Sequence, residues 1–158
     1  MLTIRSATPR DAALILHFVR ELAAFEREPD AVKATEESLR HALFDERSAE
    51  AVIAEQDGKP MGFALFFHNF STWTGRKGLY LEDLYVTPEA RGSGVGTALL
   101  RYLAGVALDR DCGRFEWAVL DWNTPAIDFY TAMGADSMDE WRIRRVTGDA
   151  LVALAGRG

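Results

Sequence analysis

The chain has 158 residues, 48% of them apolar and 11% aromatic, which is one domain's length with enough apolar material for one sizeable core. Its 24 acidic against 18 basic residues leave a net charge of −6, which argues against a nucleic-acid partner and is compatible with a cationic one. A single cysteine, Cys112, rules out an intrachain disulfide and a cysteine-rich metal site, and fits a reducing compartment.

In chain order, Met1-Leu2-Thr3-Ile4-Arg5 lacks the basic and apolar segments of a secretory leader, and no apolar run approaches the roughly 20 residues of a membrane span. A soluble, cytoplasmic protein is expected. Leu2 to Ser6 reads as a short strand. Thr8 then caps a helix with Pro9 and Asp11 in its first turn and Leu14, Phe18, Leu22 and Phe25 at helical spacing. A second helix is predicted from Thr35, with Glu36 and Glu37 complementing its N-terminus, to about Phe44. Ala51–Glu55 and Met61–Phe67 read as strands around the turn Gln56-Asp57-Gly58-Lys59, and residues 68 to 77 as a loop. Leu79–Val86 is apolar on both alternating faces, as in a central strand covered on two sides, with Glu82 and Asp83 as interruptions.

After a glycine-rich turn, Val95, Leu99, Leu103 and Val106 mark the buried face of a helix ending near Asp109. Phe115–Leu120 reads as the next strand. Thr124 is then read as the cap of a short helix with Pro125 at its first position and Gly134 closing it. Trp141–Val146 reads as a last strand and Ala150–Ala155 as a terminal helical turn. Alternation of this kind predicts an α/β or α+β layered domain spanning residues 1–158.

Arg91-Gly92-Ser93-Gly94-Val95-Gly96 lies between a strand and a helix, where free backbone N–H groups and a positive helix terminus suit a phosphate or pyrophosphate. Spacing removes two familiar readings. A Walker loop needs Lys then Ser or Thr after its last glycine, whereas Thr97 follows Gly96 directly. A dinucleotide fingerprint needs Gly or Ala where counting from Gly92 gives Thr97 and from Gly94 gives Leu99. A structural turn without a ligand stays open, as does Arg-Gly-x-Gly-x-Gly as a binding loop.

Arg91, Gly94 and Gly96 occupy the patterned positions of the acetyl-CoA loop of the GNAT acetyltransferases, Gln or Arg-x-x-Gly-x-Gly or Ala, and the sequence resembles that family. Leu81-Glu82-Asp83-Leu84-Tyr85-Val86, Leu120-Asp121-Trp122-Asn123, Asp128-Phe129-Tyr130 and Leu22-Ala23-Ala24-Phe25-Glu26 extend the resemblance over nearly the whole chain, toward the spermidine/spermine and thialysine acetyltransferase branch. Phe25 stands where the polyamine enzymes typically have tyrosine. Ser71-Thr72-Trp73 and Ala118-Val119-Leu120-Asp121-Trp122-Asn123 are similar to the thialysine branch. The implied fold is a mixed, mostly antiparallel twisted sheet of about six to seven strands flanked by about four helices. The implied activity is direct acetyl transfer from acetyl-CoA to a primary amine of a small cationic substrate: thialysine, a lysine-like amine or a diamine. A polyamine acetyltransferase and a catalytically inactive CoA-binding regulatory module are the alternatives. A homodimer is also implied.

The chemistry asks for a base, because an alkyl amine with a pKa near 10 is almost wholly protonated at neutral pH. Glu82, in the strand leading to the loop, suits that role directly or through a water, and equally suits an edge carboxylate paired with an Arg. The resemblance favours the functional reading and makes Tyr130 the general acid for the departing thiolate. Asp83, on the opposite face of a regular strand, ranks behind Glu82. A backbone N–H near Val86 would meet the oxyanion if the strand end splays from its neighbour. Leu84, Tyr85 and Val86 would line pantetheine and acetyl, and Arg91, Gly92, Ser93, Gly94, Val95, Gly96, Thr97, Asn123, Thr124, Pro125 and Ala126 would bind the cofactor. Phe25, Glu26, Glu82 and Trp73 would form an aromatic, acidic acceptor slot. His17, His41 and His68 lack ligand spacing, so no metal is expected, and Cys112 reads as a packing residue.

Overall fold

A strand persists only where its backbone groups find a neighbour, and five stretches of the chain do. In the computed structural model, which describes residues 1–158, they are β1 (Leu2–Ser6), β2 (Glu50–Gln56), β3 (Lys59–Ser71), β4 (Arg76–Val86) and β5 (Phe115–Trp117), neighbours in that order. Strands β1 to β4 are antiparallel, whereas β5 runs parallel to β4. The mixed, mostly antiparallel sheet matches expectation, but it has five strands where six to seven were expected. Trp141–Val146 is not a strand and belongs to no sheet, and β5 stops at Trp117 instead of reaching Leu120.

The helices are α1 (Ala12–Phe25), α2 (Glu36–Arg40), α3 (Val95–Asp109), α4 (Thr124–Ala132) and α5 (Gly148–Leu154), one more than the expected four. A 3-10 turn over Pro9–Asp11 delays the start of α1. There Asp11 accepts from the Thr8 N–H at 2.7 Å and from two nitrogens of Arg5 at 2.8 and 2.9 Å. Helix α2 is capped at Thr35 as read, but converts to a π-helical turn over His41–Asp45.

At the β2–β3 turn, Asp57 and Gly58 both take left-handed backbone, φ 52° and 82°, the signature of a type I′ hairpin. The expected loop at residues 68 to 77 is instead mostly the paired arms of β3 and β4, with His68 opposite Leu79 and Phe70 opposite Lys77. Phe67 and Tyr80 meet across the two arms, their ring centroids 5.2 Å apart and the rings tilted by 40°, a cross-strand aromatic contact that favours continued pairing. Only a short turn remains, closed by the Gly75 N–H on the Ser71 carbonyl at 2.9 Å.

The chain divides into two compact units, Met1–Ala118 and Val119–Gly158. In the first, Ile15 and Phe18 of α1 pack with Leu43, Ala51, Ile53, Phe63, Leu65 and Tyr85 on one face of the sheet. The alternate residues Val52, Ala54, Ala64 and Phe66 are buried on the other face. That face belongs to α3: Arg110, at the helix end, lies over the Phe66 ring at 5.8 Å and holds Glu50 through two nitrogens at 2.6 and 2.9 Å. In the second unit Asn123, not Thr124, caps α4, its side chain accepting from the Ala126 N–H at 3.4 Å. Gly134, at φ 99°, follows the end of that helix.

Candidate active site

Within the first unit, the segment from Glu82 to Arg91 carries most of the predicted residues. Leu81 lies opposite Phe66 and Asp83 opposite Leu65, so Glu82 is an extra residue, a β-bulge in β4. At the same place β4 loses its other neighbour. Its parallel pairing with β5 covers only Leu79–Leu81 against Phe115–Trp117, so from Glu82 to Val86 that side of the strand has no strand partner. The Thr87 N–H donates to the Met61 carbonyl at 2.9 Å. Alternation along an antiparallel pair then turns the N–H and C=O of Val86 to the side away from β3. This is the splayed strand end that an oxyanion site requires.

Close contact with β3 fixes the other side. At Gly62, opposite Val86, a Cβ would lie 2.4 Å from the Tyr85 carbonyl oxygen, so no side chain fits between the strands. Tyr85 itself is 4% exposed and buried beneath α1 against Phe18. Its ring thus packs in the core, while its backbone belongs to the strand edge that β5 leaves unpaired. Leu84 and Val86 are half-buried.

Past Val86, a 3-10 turn over Pro88–Ala90 leads to Arg91 and then to Gly92 and Gly94 at φ 80° and 91°, conformations that glycine adopts freely. Ser93 is tied back by its hydroxyl to the Ala90 carbonyl. Gly94 is the N-cap of α3 and no side chain caps the helix. The first helical N–H to find a carbonyl is that of Ala98, on Gly94 at 3.0 Å. The N–H groups of Val95, Gly96 and Thr97 are therefore left for a ligand or solvent, and nothing would stand within 4 Å of a Cβ at Gly92 or Gly94. An open strand edge running into three uncapped N–H groups fits a ligand with amides at one end and a diphosphate at the other.

Three carboxylates gather beside the bulge. Burial pushes the Asp83 carboxyl up to about 6, and the charges of Glu82 and Glu26 add to the effect. The Glu26 carboxyl is also raised, first by burial and then by Glu82. Asp83 is the residue that sequence reasoning undervalued: opposite Leu65, it lies on the core face under α1, while Glu82 is exposed. A cation among these three groups relieves their mutual repulsion.

Phe25 and Glu26 end α1, where the Arg27 N–H bonds the Ala24 carbonyl at 3.1 Å and the Glu28 N–H the Ala23 carbonyl at 2.8 Å. That is a Schellman closure with Arg27 at φ 66° in the place glycine commonly takes. Arg91 reaches this helix end, its guanidinium carbon 5.1 Å from the Phe25 ring centroid. Trp73 is elsewhere. It is exposed in the β3–β4 turn, with Arg114 over its ring at 5.8 Å, while nine residue steps of β4, about 30 Å, lead from Arg76 to Tyr85. The expected grouping of Trp73 with Phe25 and Glu26 is therefore not found within the chain.

In the second unit, Asn123 caps α4 and Tyr130 stands seven residues later, half-buried, with Phe129 at a centroid distance of 5.5 Å. Thr124 and Pro125 are exposed and Ala126 is half-buried in the first turn of that helix. His17 faces Glu21 at 2.9 Å, and His41 faces Asp45 and Glu46 at 3.1 and 2.8 Å. No group of three or more His, Cys, Asp or Glu side chains is arranged to hold a metal, and no helix is long and apolar enough to cross a membrane.

Residues 16–135 match the family model described as Acetyltransferase (GNAT) family. The thialysine N-epsilon-acetyltransferase of Sus scrofa is 42% identical over 166 residues, covering 98% of this chain and 97% of that protein. An L-ornithine N5-acetyltransferase of Arabidopsis thaliana is 32% identical, covering 96% of this chain and 86% of the other. Among solved structures, an integron cassette protein from the mobile metagenome of V. cholerae superposes with a TM-score of 0.81 at 28% identity, covering 98% and 97% of the two chains.

Proposed function

The chain belongs to the GNAT acetyltransferase family and transfers acetyl to an amine of a small cationic substrate, and from that premise we propose the donor, the acceptor and the residues in their roles. The donor is acetyl-CoA, with its diphosphate on the N–H groups at the start of α3 and on Arg91, and its pantetheine along Leu84, Tyr85 and Val86 as a surrogate strand. The acceptor is a lysine-like primary amine, thialysine foremost, because thialysine acetyltransferases share about 42% of this sequence and an ornithine enzyme about a third. A diamine is next in order.

The observation that carries the reading is the bulge at Glu82, where β4 parts from β5 beside Glu26 and Asp83. A protonated amine is drawn to these carboxylates, and Glu82 accepts its proton directly or through a water. The freed nitrogen adds to the thioester carbonyl, whose oxygen gathers charge opposite the Val86 N–H. As the C–S bond breaks, Tyr130 donates its proton to the thiolate, and the second proton that the nitrogen sheds on becoming an amide passes through solvent and restores the phenol. The roles of Tyr130, and of Asn123, Thr124, Pro125 and Ala126 on the cofactor, rest on the family pattern. Asp83, with its carboxyl near 6, is a second proton acceptor suited to neutral pH. Trp73 is left out of the slot because of its place in the β3–β4 turn.

The matched stretch 16–135 crosses the boundary at Ala118, which supports the two units acting as one acetyltransferase domain. A cytoplasmic homodimer completes the proposal, on the strength of the family resemblance and the single cysteine. The test is thiol release from acetyl-CoA with thialysine, lysine, ornithine, putrescine and spermidine. Fastest turnover with thialysine or lysine supports the reading; preference for spermidine makes it a polyamine enzyme, and CoA binding without release for any amine makes it a regulatory module.

A further inference from the structure

Arg91 has partners of its own within the chain. Its Nε donates to the Val86 carbonyl at 3.2 Å, on the open side of β4. Its guanidinium lies over two aromatic rings, 5.1 Å from the Phe25 centroid and 5.7 Å from that of Tyr85. One cation thus occupies a backbone carbonyl of the donor strand and also the ring face at the end of α1. Phe25 is 45% exposed and stands beside Glu26, so its face is where an acceptor's ammonium would gain most from the ring quadrupole and the nearby carboxylates.

We propose that Arg91 is a donor-operated gate on the acceptor slot: with no acetyl-CoA bound its guanidinium takes the acceptor cation's place over Phe25, and a diphosphate at the start of α3 draws it away. The gate rests on the proposed donor and acceptor sites. Its driving force is the exchange of partners. A diphosphate offers the guanidinium paired, parallel N–H···O bonds and a full opposite charge, in exchange for a single bond to the Val86 carbonyl and two ring contacts. Gly92 at φ 80° directly follows Arg91, so the backbone beside the moving side chain carries no Cβ to obstruct it. Movement frees the Val86 carbonyl for a pantetheine amide and the Phe25 face for the amine at one stroke. By linkage, donor and acceptor must then strengthen each other's binding equally.

The direct test reads the ring, not turnover. In a Phe25→Trp chain, CoA alone should shift the emission attributable to position 25, taken as the difference from the wild-type chain with its four tryptophans; the same shift should be missing in Phe25→Trp combined with Arg91→Ala at a CoA concentration that calorimetry shows to saturate that chain. Calorimetry supplies the second arm, with thialysine as probe. Saturating CoA should tighten thialysine binding to the wild-type chain about two- to fivefold, the worth of one exposed cation–ring contact. The Arg91→Ala chain without CoA should bind thialysine as tightly as the wild-type chain does with it. If CoA binds and acetyl transfer proceeds but neither the emission shift nor the coupling appears, the gate is overturned while the enzymatic reading stands. If CoA does not bind at all, both fall together.

Discussion

Replacing Asp83 by Asn should make the protein's stability less sensitive to pH, and the size of the change follows from the site. Burial, with Glu82 and Glu26 nearby, raises the Asp83 carboxyl from its usual 3.8 to about 6. At ~1.36 kcal/mol per pKa unit, that rise amounts to about 3 kcal/mol. The direction is determined by which state holds the proton more tightly. Because the folded chain does, the neutral carboxyl costs nothing extra below about pH 4. As pH climbs through 6 the folded chain must ionise Asp83 in a poorly solvated place, and stability is lost. Asparagine has nearly the same shape and no charge to bury. Urea unfolding of both chains at half-unit intervals from pH 4 to 8 should show the variant gaining on wild type by about 3 kcal/mol, almost all of it between pH 4 and 6.5. Any offset at pH 4 reports hydrogen bonding of the amide and is a separate quantity. A difference that stays flat to within about 0.5 kcal/mol across that range would show that Asp83 is not held in a desolvated, acidic setting.

Other perturbations address the scaffold and the chemistry. Gly62→Ala places a Cβ 2.4 Å from the Tyr85 carbonyl oxygen and should cost about 1–3 kcal/mol by thermal unfolding, since backbone must shift to admit it; an unchanged melting temperature would refute the close strand contact. Asp11→Ala removes the partner of the Arg5 guanidinium and the acceptor of the Thr8 N–H, with an expected loss of about 2–4 kcal/mol at pH 7. Arg5 holds the Asp11 carboxyl down to about 2, so this contribution is complete above about pH 4 and disappears as pH falls through 2. Tyr130→Phe should lower turnover at least about tenfold with little change in acetyl-CoA binding by calorimetry, and undiminished turnover would remove Tyr130 from the reaction. Glu82→Gln should depress the rate most at low pH, where deprotonating the amine is hardest, whereas an equal loss at every pH would exclude it as base.

What the sequence disclosed was local. Three glycines at alternating positions, a Pro beside a capping residue and apolar residues at helical spacing each leave a mark within a few residues, and the loop into α3, the extent of α1 and the turn at Asp57-Gly58 follow from them. Features that depend on pairing leave no such mark. The bulge at Glu82 exists because Leu65 and Phe66 count one residue fewer than the strand beside them, and nothing local to Glu82 announces it. Strict alternation across that point ranked Asp83 behind Glu82, yet the bulge leaves Glu82 exposed and Asp83 on the core face. Residues 68 to 77 carry the polar composition of a loop but are held as strand by each other and by Phe67 against Tyr80. Trp141–Val146 shows the converse: a residue pattern fit for a strand becomes one only beside a partner.

The parting of β4 from β5 also bears on solubility. Unpaired strand backbone in a sheet of this kind invites another chain to pair with it, and natural proteins commonly place charge at such edges. Here the unpaired stretch is bracketed by the carboxylate of Glu82 and the guanidinium of Arg91, the latter occupying the Val86 carbonyl. The same two side chains that we assign to substrate and donor thus also hinder strand addition between copies while the slot is empty. A chain lacking both charges should lose solubility during storage without ligand and recover it when CoA fills the edge.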